Sequence, residues 1–201
     1  MAIEFDRAGF LRRGAVGGGA LLVTASGLTA FADTASADVV PDADLAYLRL
    51  LIAGELLALD FYGQALASGR LRHGARPLVR RMRADESAHY TKLAGVMTAA
   101  GQTPATSGDI DFSYPKRSFH SQGSILRLAG QIERLLLGAH LGALENVASS
   151  DLRLLIGQIA ANEAQHGSAL AGLAGGVVIG RAFAPALQIA EVSDVLDRFE
   201  S

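Results

Sequence analysis

Apolar residues recur at helical spacing in four long blocks of the chain, separated by breaks that glycine and proline mark. In the first block Leu45, Leu48, Leu51, Ile52, Leu56, Leu59 and Ala65 follow one helical stripe, which predicts a helix over about residues 43–68, ended by Gly69. A second helix is predicted over 75–100, with Pro77 in its first turn, where proline is tolerated, and Gly101 beyond its last. The third is predicted over 124–149 and the fourth over 151–174, with Asp151 as N-cap. Short links join the first helix to the second and the third to the fourth, so each pair is expected to be an antiparallel hairpin. Residues 101–123 are rich in Gly, Pro, Ser and Asp and show no helical period. Extended at roughly 3.3 Å per residue, they are long enough to cross the ~35–40 Å length of such a helix.

The end of the chain has a different rhythm. Gly175-Gly176 breaks the fourth helix and Pro185 interrupts again, while Leu187, Ile189, Ala190, Val192, Val195, Leu196 and Phe199 predict a short amphipathic helix packing on the outside. The expected organisation is an all-α four-helix bundle over 38–182, two antiparallel hairpins joined by a long crossover, with a C-terminal amphipathic helix in 183–201.

Composition narrows the chemistry. At 201 residues, half of them hydrophobic, the chain can bury one sizeable core. Its 18 basic and 20 acidic side chains give a net charge of -2, so no global field attracts nucleic acid or an anionic membrane. The absence of cysteine excludes disulfides, thiolate zinc sites, iron–sulfur clusters and cysteine nucleophiles. Any metal must be held by histidine and carboxylates. Phosphate-loop, dinucleotide and Gly-x-Ser-x-Gly fingerprints are missing as well.

Residues 1–37 have the layout of an export signal: Arg7, Arg12 and Arg13, then a small-residue apolar run from about Ala15 to Ala32, then Ala35-Ser36-Ala37, after which cleavage is expected. Four glycines dilute the apolar run, which makes it a poor membrane anchor, and no stable span is expected after cleavage. The segment Arg7-Ala8-Gly9-Phe10-Leu11-Arg12-Arg13 resembles a twin-arginine signal, with Ala8 where the second arginine would stand. The expected destination is the periplasm, the cell envelope or the exterior.

The two hairpins also repeat each other. Glu55 is followed seven residues on by Tyr62, and Glu133 seven on by His140. Glu86-Ser87-Ala88-His89 begins 31 residues after Glu55, and Glu163-Ala164-Gln165-His166 begins 30 after Glu133. Residues three apart share a helix face, so each Glu-x-x-His can present both side chains inward. Burying unpaired ionised carboxylates costs several kcal/mol per ion, roughly, whereas two divalent cations would neutralise the four.

This pattern, one Glu from each of two helices and Glu-x-x-His from each of the other two, resembles the ferritin-like di-iron carboxylate superfamily, most closely its exported bacterial ferritin-like domain proteins. The resemblance covers about residues 43–174 and extends to the tail from Phe183 to Phe199. It implies Glu55 and Glu133 as terminal ligands, Glu86 and Glu163 as bridging ligands, and His89 and His166 as one nitrogen ligand for each of two iron ions, with manganese the other metal suited to this set. By the same symmetry Asp85 is expected to support His166, and Asn162 to support His89. Tyr62 and His140 are expected to hydrogen-bond to ligands or relay electrons. The implied activity is oxidation of Fe(II) or reduction of dioxygen or peroxide, with an external electron donor if the centre turns over, in a monomer or homodimer. A non-enzymatic scaffold of the envelope, with or without metal, is the alternative. Glu145, His73 and His120 read as surface residues, and the cluster of Arg70, Arg72, Arg76, Arg80, Arg81 and Arg83 as a solvated face or, alternatively, an anion or polymer contact.

Overall fold

A computed structural model describes residues 40–72 and 74–200; the expected export signal, its cleavage point and His73 lie outside the described residues. The described residues form five α-helices: α1 (Asp42–Ala67), α2 (Ala75–Ala99), α3 (Gln122–Asn146), α4 (Ser150–Leu173) and α5 (Ile189–Leu196). There is no strand among them, and one isolated antiparallel bridge joins Phe112 to Glu200. The four long helices are a ferritin-like bundle: α1 packs on α2 and α3 on α4 as hairpins, and α1 lies against α3.

Helix α1 is apolar over much of its circumference, and such a helix is stable only when neighbours cover it. Here α2, α3 and α5 do so, burying Leu48, Ile52, Leu57 and Phe61 completely. Each of these contributes about 1.5–3 kcal/mol relative to an exposed side chain. At Gly54 a Cβ would lie 2.7 Å from Leu136 Cδ2, so the glycine lets α1 and α3 approach closely beside Glu55.

The crossover runs the length of the bundle. It leaves α2 at one end and enters α3 at the other, where the Arg72 N–H donates to Gln122 Oε1 at 2.9 Å. Tyr114 fastens it midway, donating to Asp60 Oδ2 at 2.7 Å and packing with Phe61 and Phe119 at ring separations of 5.5 and 5.3 Å.

The helix ends depart from the pattern reading in three places. Helix α3 starts two residues earlier than expected because Ser121 and Ser124 form a reciprocal capping box. It stops at Asn146 because the buried carboxylate of Asp44 accepts the N–H groups of Ala148 and Ser149, both at 2.9 Å, and draws the chain out of the helix. Ser149, not Asp151, is then the N-cap of α4, its hydroxyl accepting from Leu152 N–H at 3.3 Å; Asp151 sits in the first turn, where its charge suits the helix dipole. In the tail, only Ile189–Leu196 is helical. Residues 185–188 instead cross α3 in close contact: Leu187 N–H donates to the Gly138 carbonyl at 2.9 Å, and a Cβ on Gly142 would stand 1.8 Å from the Leu187 carbonyl oxygen.

Candidate metal centre

Each long helix delivers its share of the expected cluster at mid-length: Glu55 from α1, Glu86 and His89 from α2, Glu133 from α3, and Glu163 and His166 from α4. The four carboxylates are at most 1% exposed. Their ligand atoms form two sets, each lying within 4.8 Å of one another: Glu55, Glu86, His89 and Glu163 in one, and Glu86, Glu133, Glu163 and His166 in the other. Glu86 and Glu163 belong to both sets. His89 Nδ1 lies 3.0 Å from Glu163, 3.1 Å from Glu86 and 3.6 Å from Glu55. His166 Nδ1 lies 3.0 Å from Glu86, 3.3 Å from Glu133 and 3.6 Å from Glu163. The two imidazole centroids are 6.3 Å apart.

Hydrogen bonding leaves this cluster unsatisfied. Both oxygens of Glu55 and of Glu163, one each of Glu86 and Glu133, and His166 Nδ1 are buried without an aligned hydrogen-bond partner. Buried polar atoms are almost always paired, so a concentration of orphans in one spot is the donor set of an absent partner. Carboxylate oxygens with one imidazole nitrogen per set suit a hard to borderline divalent cation such as iron or manganese. The residues present therefore fit a dinuclear centre.

The electrostatics point the same way. Burial, with the neighbouring carboxylates adding to it, holds Glu55 and Glu133 well above the ordinary carboxylate range despite their imidazole neighbours. Burial opposes the charge on His89, but Glu163, Glu55 and Glu86 outweigh it and push the imidazole up to about 12. His166 is raised in the same way, burial being outweighed by Glu133, Glu163 and Glu86. For Glu163 burial is overcome by His166 and His89, and its carboxyl falls well below the usual range. Metal-free, the cluster holds protons in the places that cations would take.

Around the six residues a crossed arrangement appears. Tyr62, on α1, donates its hydroxyl to Glu133 on α3. His140, on α3, stands with Nε2 3.3 Å from Glu55 Oε1 on α1. Its Nδ1 is 2.9 Å from the Leu136 carbonyl, which can only accept, so Nδ1 carries the proton and Nε2 presents a lone pair to Glu55. Burial holds His140 below its ordinary pKa and therefore neutral, and raises Tyr62, with Glu133 adding to the effect, so that the phenol stays protonated.

Asp85 Oδ2 is 3.5 Å from His166 Nε2 and accepts from Arg81 Nε at 2.9 Å. The expected counterpart does not form: among the described residues Asn162 makes no hydrogen bond with His89, and it stays half-buried. The two half-sites thus differ, with the His89 side chain 11% exposed against 5% for His166. Glu145 and His120 lie on the surface. Sequence reasoning missed a cleft of about 380 Å³ beside the cluster, where Leu56, Asp60, Arg83, Ser87 and Tyr90 meet Thr106 and Phe112 of the crossover. No periodic signal marks it, because four of its ten lining residues lie in irregular chain.

A family model described as a ferritin-like domain matches residues 43–176. No curated protein matches the chain. The match spans the four long helices and all six clustered carboxylate and imidazole residues, and the chain belongs to the ferritin-like domain family.

Proposed function

We propose that this protein is an exported ferritin-like oxidoreductase that holds two iron ions, or two manganese ions, and oxidises Fe(II) with dioxygen or peroxide. The observation that carries the reading is the pair of overlapping ligand sets, whose buried oxygen and nitrogen atoms lack partners. Glu55 and His89 would hold one ion, Glu133 and His166 the other, and Glu86 and Glu163 both. The centre, when loaded, supplies redox-active cations that pass electrons to dioxygen or peroxide.

The chain's own residues do the rest. Asp85 takes the His166 Nε2 proton as a hydrogen bond and so turns the Nδ1 lone pair inward, while Arg81 holds the Asp85 side chain in place. Tyr62 fixes the rotamer of Glu133. His140 Nε2 can accept the proton that Glu55 gives up as a cation arrives. The apolar walls of α1 and α3 exclude water from the carboxylates, and the imidazoles on α2 and α4, the only members of the six more than 1% exposed, mark the side from which Fe(II) and oxidant enter. In Fe(II) oxidation the substrate is itself the electron source; reduction of dioxygen or peroxide without Fe(II) as substrate would draw on an external donor, since the sequence has no cysteine to build a donor module of its own.

The test is Fe(II) oxidation followed by absorbance, with oxygen or peroxide consumption measured alongside. The protein should exceed the buffer rate, and Glu86→Ala/Glu163→Ala, which strips both shared ligands, should fall to it. Equal rates in the two proteins would overturn the reading.

A further inference from the structure

The net charge of -2 conceals a segregation along the bundle. The end where α1 finishes, α2 and α3 begin and α4 finishes is held together by the Arg72–Gln122 hydrogen bond and by Leu173 against Gly74. The chain segments on this end's side of the mid-bundle cluster, residues 56–85, 112–132 and 164–184, carry ten Arg and Lys side chains against two acidic ones, Asp60 and Asp85. Arg70, Arg72, Arg76, Arg80, Lys116 and Arg181 among them are exposed. Arg70 and Arg72 line an open cleft of about 390 Å³ beside the start of α3.

The same end bears the three most exposed large apolar side chains of the described residues. Where α4 finishes, the chain swings out in a loop whose Val177, Ile179 and Phe183 are 78%, 88% and 90% exposed, with Arg181 among them. Val178 folds back to within 3.5 Å of the position a Gly172 Cβ would take, which keeps the loop against the end of α4. Leaving three large apolar side chains in water has a cost that a soluble surface does not ordinarily carry.

We propose that this end of the bundle docks on the surface of an anionic phospholipid bilayer, the apolar loop entering the interface and the surrounding cations lying over the headgroup phosphates. Charge complementarity selects this occupant. A second copy docked through the same end would set one cationic surface against another, and nucleic acid offers no apolar phase for Val177, Ile179 and Phe183. Lipid meets both needs at once, since basic side chains near an anionic surface and apolar groups inserted at its boundary add to each other. No described helix is long and apolar enough to cross a membrane, so the contact is peripheral. The proposal is independent of the metal centre.

The chain has no tryptophan, so Ile179→Trp in the full chain gives a single reporter at an exposed position whose replacement leaves the core untouched. Its emission is followed against vesicles of phosphatidylglycerol and, separately, of phosphatidylcholine. The expected result is a blue shift with the anionic vesicles only, abolished by high salt, and roughly tenfold more lipid needed for half the shift when Arg70→Gln, Arg72→Gln and Arg80→Gln are added. No shift, an equal shift with neutral vesicles, or an equal lipid requirement in the glutamine variant would overturn the proposal. So would a shift that grows with protein concentration in the absence of lipid, which would assign the loop to a second copy, or one evoked by an acidic polypeptide and not by vesicles.

Discussion

Glu55, Glu86, Glu133 and Glu163 meet in a volume where four ionised carboxylates could not coexist unaided, and the metal-free protein answers with protons. That answer has a sign. Glu55 and Glu133, raised above the ordinary 4.5, stay protonated in the folded chain at pH values where the unfolded chain has released the proton. His89, raised to about 12, keeps a proton that an unfolded imidazole loses near 6.5. In each case the folded state binds more protons, so stability is lost as pH rises. Glu163 works oppositely: its contribution is present above the ordinary 4.5 and is lost as pH falls below it. The metal-free protein is expected to lose stability from about pH 5 to about pH 9, read as a falling urea midpoint, and added divalent metal should help more as pH rises because it replaces those protons. A metal-free midpoint that rose over this range would contradict the account. At this scale the sequence was legible where chemistry repeats: both Glu-x-x-His pairs and both upstream glutamates stand out by spacing alone. Asp44 was not, because an acidic residue in a first helical turn is commonplace, and its two bonds to residues more than a hundred positions away leave no local trace.

The four long helices were readable because each combines a sustained 3.6-residue period with a glycine, proline or serine at its ends. Their boundaries were less so, since tertiary partners decide where a helix yields: Asp44 ends α3 and moves the cap of α4 to Ser149. The tail shows the limit most clearly. Apolar residues from Leu187 to Phe199 read as one helix, but the backbone at Leu187 is claimed by α3 and only eight residues remain helical. Gly138 and Gly142 create that claim, and their role depends on a strap from far along the chain. Gly142→Ala is therefore expected to destabilise by about 1–3 kcal/mol and to make the segment around Leu187 susceptible to limited proteolysis. Gly95→Ala, at an exposed position of α2 with nothing within 4 Å of the new methyl, should stabilise by about 0.5–1 kcal/mol. Equal effects from the two substitutions, measured by chemical denaturation, would show that the strap does not bind α3 as described.

For the molecule as a whole, the bundle's architecture and the centre's position follow from one duplication of pattern: two hairpins, each offering Glu and Glu-x-x-His, face each other across the α1–α3 contact. The halves are not equivalent, however, because Asp85 reaches His166 whereas Asn162 does not reach His89. Net charge was a poor guide at this scale, since near-neutrality averaged a cationic end with an acidic remainder. The central claim is that the mid-bundle cluster is a metal site, and the most direct measurement is elemental analysis of the protein as purified and after anaerobic exposure to Fe(II), with Glu86→Ala/Glu163→Ala alongside. The account predicts about two Fe or Mn per chain, lost in the double variant. A protein that neither carries metal nor takes it up, or a variant that retains the full complement, would contradict it and leave the bundle as a scaffold.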